Sequence, residues 1–155
     1  MPTIDEFFAT AKAELALDPA LTYRQAQSFG DSPTLADTIA DLILSGQKTA
    51  TASGFELYVH DHQPMPQVGD VNVVLNGQDE PVAVTYLEDT FIQPFASVDA
   101  QQARLEGEGD LSLAYWQAEH ARFFKAAYAD AGLTFDPSSS MVVIECFRVL
   151  YPFTN

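Results

Sequence analysis

The spacing of apolar residues along the chain predicts four helices. They cover residues 4–16, residues 33–45, the segment "ASVDAQQARLEG" and a longer stretch from Ser112 to about Gly132. Thr3 and Glu6 form a capping-box pattern at the first helix, and Ser32-Pro33 is a typical start for the second. Gly46 suits the left-handed conformation that commonly ends a helix, so the second helix is predicted to stop there.

Alternating and β-branched residues predict the strands. "TATAS" suits a short strand, "VNVVLNGQDEPVAVTYLED" suits a hairpin with Asn76-Gly77 in its turn, and "MVVIECFRVLY" suits a closing strand. The segments "DPALTYRQAQSFGDSP" and "DHQPMPQVGD" are rich in turn formers and are predicted loops. Four or more strands mixed with helices, without regular βαβ alternation, favour the α+β class. The pattern alone leaves open whether the strands close into a small barrel.

Composition narrows the possible partners. The chain has 155 residues, which suits one domain, and a net charge of −15, with seven Lys and Arg against 22 Asp and Glu. Broad binding to a phosphate backbone needs several basic contacts, so this charge opposes it without excluding an uncharged nucleoside. No apolar run is long enough to span a membrane, and "MPTIDEFFATAK" lacks the features of a secretory signal. We therefore expect a cytoplasmic protein without a membrane partner.

The sequence lacks the common signatures of cofactor and metal sites. It has no Walker loop, dinucleotide fingerprint, nucleophile elbow or paired-cysteine metal site. His60 and His62 flank one aspartate in a predicted loop, a spacing more typical of a solvated loop than of a metal site. The single Cys146 lies in an apolar strand and is expected to be a core residue. We predict no metal ion and no cofactor.

"LSGQKTATAS" is the first of two segments that offer chemistry. Lys48 and Thr51 are three residues apart, just after the predicted helix stop. A threonine hydroxyl is a poor nucleophile until a group accepts its proton, and a lysine can do so only as a neutral amine. Spacing alone favours a simpler interpretation, in which Lys48 stabilises the helix dipole and the threonines favour the strand.

"EGEGD" is the second segment. It places Glu106, Glu108 and Asp110 between glycines, where a flexible backbone could aim a carboxylate into a cleft. An acidic surface loop before a helix is the simpler interpretation. Trp116 and His120 follow, one helical turn apart, and are expected at the edge of the core. The alternative, stacking on a nucleic-acid base, would require exposed rings.

Taken together, several segments resemble the ASCH domain family. They are "FGDSPTLADTIADLILSGQKTATAS", "PQVGDVNVVLNG", "EGEGDLSLAYWQAEHARFF" and "VVIECFRVLY", in the order found in longer bacterial members. The resemblance implies a small PUA-like β-barrel flanked by helices. It assigns residues 29–155 to the ASCH domain, with residues 1–28 as an N-terminal helix and loop in the same globular unit. Many long members have a lysine before "VGD", where this chain has Gln67, a departure that weakens polynucleotide binding more than nucleoside binding.

The resemblance also implies a chemistry. Some small ASCH proteins are amidohydrolases that remove the acetyl group from N4-acetylcytidine, with a motif of Lys, a Thr three residues on, and a Glu from a later acidic stretch. Carried onto this chain, the motif makes Lys48, Thr51 and Glu108 the predicted catalytic residues. Glu106, two residues away, is the alternative carboxylate. The predicted substrate-binding residues are Thr49, Ser53, Glu106, Asp110, Trp116 and His120.

The expected partner is a small nucleoside or modified-base substrate. Other ASCH proteins are RNA-binding or ribonuclease-like, so a non-catalytic RNA- or nucleotide-binding module and a ribonuclease for single-stranded RNA remain alternatives. A ribonuclease would recruit His120 and Glu108 as its acid and base. The net charge of −15 implies that any RNA binding would be weak. The acyl group and the oligomeric state stay open.

Overall fold

A computed structural model of the protein describes residues 1–153, a mixture of helices and strands. In chain order the elements are α1 (Ile4–Glu14), β1 (Gln25–Gln27), α2 (Pro33–Leu44), β2 (Ala50–Gly54), α3 (Phe55–His60), β3 (Val71–Leu75), β4 (Pro81–Pro94), α4 (Ala100–Glu106), α5 (Leu113–Asp130) and β5 (Met141–Tyr151). The mixture confirms the predicted α+β class. Among the helices of residues 1–153, none is long and apolar enough to cross a membrane.

Local signals set most of the helix starts. The Thr3 side chain accepts a hydrogen bond from the Glu6 N–H, and the Glu6 side chain accepts one from the Thr3 N–H, which completes the predicted capping box. Ser32 accepts a hydrogen bond from the Leu35 N–H at the start of α2, and Ser112 plays the same part for α5. The four predicted helices are therefore confirmed, although α1 and α2 end one or two residues earlier than predicted.

Two short elements are absent from the sequence-based prediction. β1 lies inside a segment predicted to be a loop, so that prediction is wrong at Gln25–Gln27. Its three residues are all half-buried and too few to give a clear pattern, and the strand exists through parallel pairing with β3. The second element, α3, follows β2 directly and begins without a side-chain cap at Gly54. Both elements depend on tertiary contacts more than on local sequence.

The strands are hydrogen-bonded in the order β1-β3-β4-β5-β2. β3 and β4 form the predicted antiparallel hairpin, with Asn76-Gly77 in its turn. β2 pairs antiparallel with β5, and Thr51 lies directly opposite Glu145. Because side chains alternate along a strand, Thr51 and Ser53 share one face of β2.

The chain packs into two compact units. The first comprises Met1–Gln47, Val68–Glu88 and the chain from Phe147 onward. Within it, α1 and α2 bury apolar residues against β3 and the first part of β4. The residues of these two clusters include Phe8, Ala11, Val71, Val73 and Val84 on one side and Ile39, Ala40, Ile43, Val74 and Ala83 on the other.

The second unit comprises Lys48–Gln67 and Asp89–Cys146 and has an aromatic core. The core residues come from α5, from β5 and from the segments around them: Phe95, Val98, Ala103, Trp116, Phe124, Tyr128, Phe135, Val142 and Ile144. Ala52 and the half-buried Cys146 pack against this cluster. One face of β2 and β5 is thereby covered by α5.

The backbone of β2 lies close against α5 at Gly54. A Cβ atom at Gly54 would lie 2.5 Å from both Cε1 and the hydroxyl oxygen of Tyr128. Tyr128 is fully buried, and its hydroxyl donates to Glu56 Oε1 at 2.8 Å, so the ring has little room to move. Glycine at residue 54 lets the helix sit against the strand.

We expect Gly54→Ala to lower the free energy of unfolding by about 1–3 kcal/mol, the usual cost of overpacking a core. Urea unfolding of both proteins measures the difference. The same substitution in a Tyr128→Phe background is the control, because removal of the hydroxyl relieves one of the two contacts and should reduce the cost. An unchanged urea midpoint in the single variant would contradict the tight contact.

Candidate functional site

Lys48 lies at the centre of the candidate site. The next residue, Thr49, donates its N–H to the Leu105 carbonyl oxygen at 2.8 Å, which ties this segment to α4. The Lys48 side chain is only 1% exposed. Its Nζ lies 2.9 Å from Glu108 Oε2 and 3.3 Å from the carbonyl oxygen of Glu106. A third oxygen, Glu106 Oε1, is 3.7 Å away.

The "EGEGD" loop brings both carboxylates to this lysine. α4 ends at Glu106, and Gly107 adopts a left-handed conformation with φ of 71°, which glycine does without strain. The Glu106 side chain is 1% exposed, whereas that of Glu108 is 18% exposed. Both predicted alternatives for the site carboxylate therefore contact Lys48, and they differ in their access to solvent.

Three further groups hold the Glu106 carboxylate. Gln102 Nε2 donates to Oε2 at 3.0 Å, and Trp116 Nε1 donates to the same oxygen at 2.5 Å. His120 Nε2 lies 3.1 Å from Oε1. Gln102 and Glu106 are four residues apart on α4, as are Trp116 and His120 on α5, so each helix presents its pair on one face. Both carboxylate oxygens are thus satisfied although the group is buried.

The pKa of the Glu106 carboxyl is lowered from its usual value. Burial is the largest single influence and acts in the opposite direction, because it disfavours the charged form. The hydrogen bond from His120 and the positive charge of Lys48 lower the pKa, and the Gln102 hydrogen bond adds to them. Together these contacts outweigh burial, so Glu106 is a carboxylate at neutral pH.

Both ring nitrogens of His120 face hydrogen-bond acceptors. Nδ1 lies 2.9 Å from the Trp116 carbonyl oxygen, and Nε2 faces the Glu106 carboxylate. Both partners are acceptors, so a ring nitrogen that carries a proton can donate to the group that it faces. The ring also stacks on the Trp116 indole with centroids 4.2 Å apart. In this arrangement Lys48 and His120 both contact Glu106, and Lys48 also contacts Glu108.

Thr51 faces away from the aromatic core of the second unit. Ala52 and Ile144 are opposed in the sheet and pack into the aromatic core, so the neighbouring residue Thr51 faces away from that core. Thr51 is half-buried. In residues 1–153 the Lys48 side chain contacts Glu106 and Glu108, and no hydrogen bond joins it to Thr51.

The remaining predicted residues lie around this cluster. The Thr49 hydroxyl donates to the Leu105 carbonyl oxygen at 3.4 Å, and Ser53 shares the strand face of Thr51. Asp110 is exposed and accepts a hydrogen bond from the Ser112 N–H at 2.9 Å. The hydrogen bonds from the side chain and backbone of Ser112 lower the pKa of Asp110. Asp110 thus supports the start of α5 and does not contact Lys48.

Comparison with known proteins identifies the family. The sequence model of the ASCH domain matches residues 25–151. The chain belongs to the ASCH domain family. A crystal structure of an ASCH domain from Lactobacillus crispatus is 35% identical, covers 82% of this chain and 79% of its own, and has a TM-score of 0.78. A crystallised Enterococcus faecalis protein assigned to the family DUF984 is 31% identical. The match covers 94% of this chain and 86% of that protein, with a TM-score of 0.86. No curated protein matches the chain significantly.

The two crystal structures confirm the fold that the resemblance implied. This chain has the PUA-like α+β fold of ASCH domains, with the sheet flanked by helices. Both likenesses extend over four fifths of the chain or more, and both exceed 30% identity. The assignment of residues 29–155 to the domain stays a prediction, as do the roles of individual residues.

Sequence reasoning missed two residues of this ASCH domain. Gln102 supports Glu106 from within α4, and its only sequence signal is the four-residue spacing between them. Glu145 is a lone carboxylate in the apolar strand "MVVIECFRVLY", where it stands opposite Thr51. A charged residue in a buried strand is itself a signal, because such burial is costly without a compensating group.

The histidine-rich loop contributes nothing to the cluster around Lys48. His60 Nδ1 lies 2.9 Å from Asp61 Oδ1, and both side chains are about half exposed. Within the described part of the ASCH domain, no three His, Cys, Asp or Glu side chains are grouped to hold a metal ion.

The lowered pKa of Glu106 couples stability to pH. A carboxyl whose pKa is lower in the folded than in the unfolded chain contributes stability above the unfolded pKa, about 4.3, and this contribution is lost as pH falls through the folded pKa. Glu106→Gln leaves Lys48 and His120 without their shared countercharge. We expect it to lower the free energy of unfolding by about 3–5 kcal/mol near neutral pH.

The difference in the free energy of unfolding between wild type and Glu106→Gln should shrink in acid, because the wild type then loses the same negative charge. Urea unfolding of wild type and Glu106→Gln from neutral pH down through the acid range measures it. Glu88→Gln removes an exposed carboxylate and is the control, with an expected change within about 0.5 kcal/mol. A deficit that does not vary with pH would contradict the ionised state of Glu106.

Proposed function

We propose that this protein hydrolyses the amide bond of an N4-acylated cytidine. The observation that carries the proposal is the 2.9 Å ion pair between Lys48 Nζ and Glu108 Oε2, which joins residues 60 positions apart. The resemblance to ASCH amidohydrolases pairs the same two segments, "LSGQKTATAS" with Lys48 and "EGEGD" with Glu108. A small nucleoside substrate also agrees with the net charge of −15, since it presents no phosphate to be repelled.

In this proposal Thr51 attacks the acyl carbonyl carbon, and Lys48 polarises the carbonyl oxygen. The oxygens around Nζ are all hydrogen-bond acceptors, and two of them belong to carboxylates. A lysine ammonium can donate to each of them and has no acceptor of its own. A fixed cation aimed at developing negative charge can lower a barrier by several kcal/mol, so this role suits Lys48 better than that of a base.

Glu108 is the carboxylate assigned to orient Lys48. Its side chain is 18% exposed, which leaves it accessible to a bound substrate, whereas Glu106 is enclosed by its donors. Glu106 is accordingly assigned to fix Lys48 and His120 from inside the unit. The two carboxylates thus divide a structural and a substrate-facing role.

The alternative of a non-catalytic RNA reader draws less support. It needs a basic side chain free to contact phosphate and an exposed aromatic ring for base stacking. At the candidate site Lys48 is buried in an ion pair, and Trp116 is buried with its indole N–H bound to Glu106, although the neighbouring Tyr115 is 37% exposed. A ribonuclease would need His120 as a free acid or base, but both of its nitrogens are engaged.

Turnover of N4-acetylcytidine tests the proposal. We expect the wild type to release cytidine, Thr51→Ala to lose activity, and Lys48→Met to lower kcat by at least about 10²-fold. Lys48→Met keeps the length of the side chain and removes its charge. Thr10→Ala and Lys125→Met change exposed residues of the same types and should keep wild-type activity. A folded wild type that releases no cytidine would refute the proposal.

Salt provides a second test, because the proposed substrate is uncharged. KM for N4-acetylcytidine should be nearly constant between about 50 and 200 mM salt, whereas a protein making 6–10 phosphate contacts loses about 10³–10⁵-fold in affinity over that range. Steady-state kinetics and the binding of a short single-stranded RNA are measured in the same buffers. Tight RNA binding whose affinity falls steeply with salt, together with no turnover of N4-acetylcytidine, would favour the RNA reader.

A further inference from the structure

Glu145 is a buried carboxylate in an otherwise apolar stretch of β5. The preceding residues, Val142, Val143 and Ile144, are almost completely buried, and Glu145 is 6% exposed. Burying a carboxylate costs free energy unless polar groups compensate for lost water. The Tyr58 hydroxyl of α3 donates to Glu145 Oε1 at 3.5 Å. Glu145 thus brings a carboxylate to a strand whose neighbouring buried residues are apolar.

The sheet register places Thr51 next to this carboxylate. Thr51 and Glu145 are directly opposed in the antiparallel pairing of β2 and β5. Opposed residues carry their side chains on the same face, with Cβ atoms about 4.5–5.5 Å apart. The longer glutamate side chain can span that gap to the threonine hydroxyl. Ser53, on the same face, is opposed by Val143, which offers no proton acceptor.

Lys48 is poorly suited to accept the Thr51 proton. Its Nζ donates to Glu108 Oε2 and to the Glu106 carbonyl oxygen, and its remaining near neighbour is Glu106 Oε1. A lysine ammonium has three donors and no acceptor, so these contacts occupy its N–H groups and leave no lone pair for a proton. Thr51 therefore needs another base, and that base has to lie on its own face of β2.

We infer that Glu145 is the catalytic base that accepts the Thr51 hydroxyl proton, while Lys48 acts only as a cation. This inference rests on the amide hydrolysis proposed above. It assigns the base to a residue of β5 and the cation to the segment before β2. Tyr58, through its hydroxyl, is a positioning residue for the Glu145 carboxylate.

The proton and bond changes balance in two half-reactions. In the first, Thr51 Oγ1 forms a bond to the acyl carbon, and the Thr51 hydroxyl proton passes to Glu145. The bond between the acyl carbon and N4 then breaks, and Glu145 returns the proton to the departing amino group. In the second, water attacks the threonyl ester and gives a proton to Glu145, which passes it to Thr51 Oγ1 as the carboxylic acid leaves. The sum is amide plus water to amine plus carboxylic acid.

Glu145→Gln is the decisive variant, because it keeps the size of the side chain and removes the proton acceptor. We expect kcat for N4-acetylcytidine to fall by about 10²–10⁴-fold with KM little changed. Glu56→Gln is the matched control: Glu56 is a partly buried carboxylate of α3 that accepts the Tyr128 hydroxyl and lies outside the proposed machinery. It should keep wild-type kcat.

The outcomes separate this inference from the proposed function. Wild-type protein without turnover overturns both. Wild-type turnover that Thr51→Ala abolishes and Glu145→Gln preserves overturns the role of Glu145 alone. If circular dichroism shows that Glu145→Gln does not fold, Glu145→Asp replaces it: the shorter carboxylate should lower kcat without changing KM, and wild-type kcat in that variant would overturn the inference.

Discussion

The burial of the Lys48 ammonium is the constraint on which the second unit depends. An isolated ammonium excluded from water costs several kcal/mol even after the protein relaxes, so it persists only where oxygens replace its hydration shell. Two of those oxygens come from side chains and one from the backbone of the same short loop, between Glu106 and Glu108. The loop can supply all three because Gly107 reverses the chain directly after α4. One buried cation thereby determines where α4 ends and how the loop runs to α5.

The same constraint extends to α5 through Glu106. A carboxylate that is 1% exposed needs its own compensation, and Lys48 at 3.7 Å supplies only part of it. The remaining contacts to the Glu106 carboxylate come from Trp116 and His120 on one face of α5 and from Gln102 on α4. These contacts explain how buried carboxylates fit beside an aromatic core. Removal of Lys48 or Glu106 would leave a buried charge without one of its partners, so the cluster is held as a set.

Sequence patterns predicted the elements that carry their own start and stop signals. The capping box at Thr3 and the serine caps at Ser32 and Ser112 act locally, and the helices that they start were predicted correctly. β1 was missed because its pairing with β3 decides its conformation. The site shows the same division: Lys48 and the acidic loop were visible through the family motif, whereas Gln102 and Glu145 become meaningful only through neighbours that are distant in sequence or across a sheet. The family motif also paired Lys48 with Thr51, and in the structure the Lys48 side chain contacts Glu106 and Glu108.

The contacts of Lys48 bear on how the proposed reaction is organised. A lysine that is held as a cation by carboxylates cannot also be a good base, and a neutral lysine would forfeit the ion pairs that keep it buried. Placing the cation and the base on different residues removes the conflict, because each can then have the surroundings that its charge state requires. Lys48 sits among acceptors at the loop between α4 and α5, and Glu145 sits opposite Thr51 in the sheet. The electrostatics that stabilise the buried cluster thus favour a division of labour that the linear motif conceals.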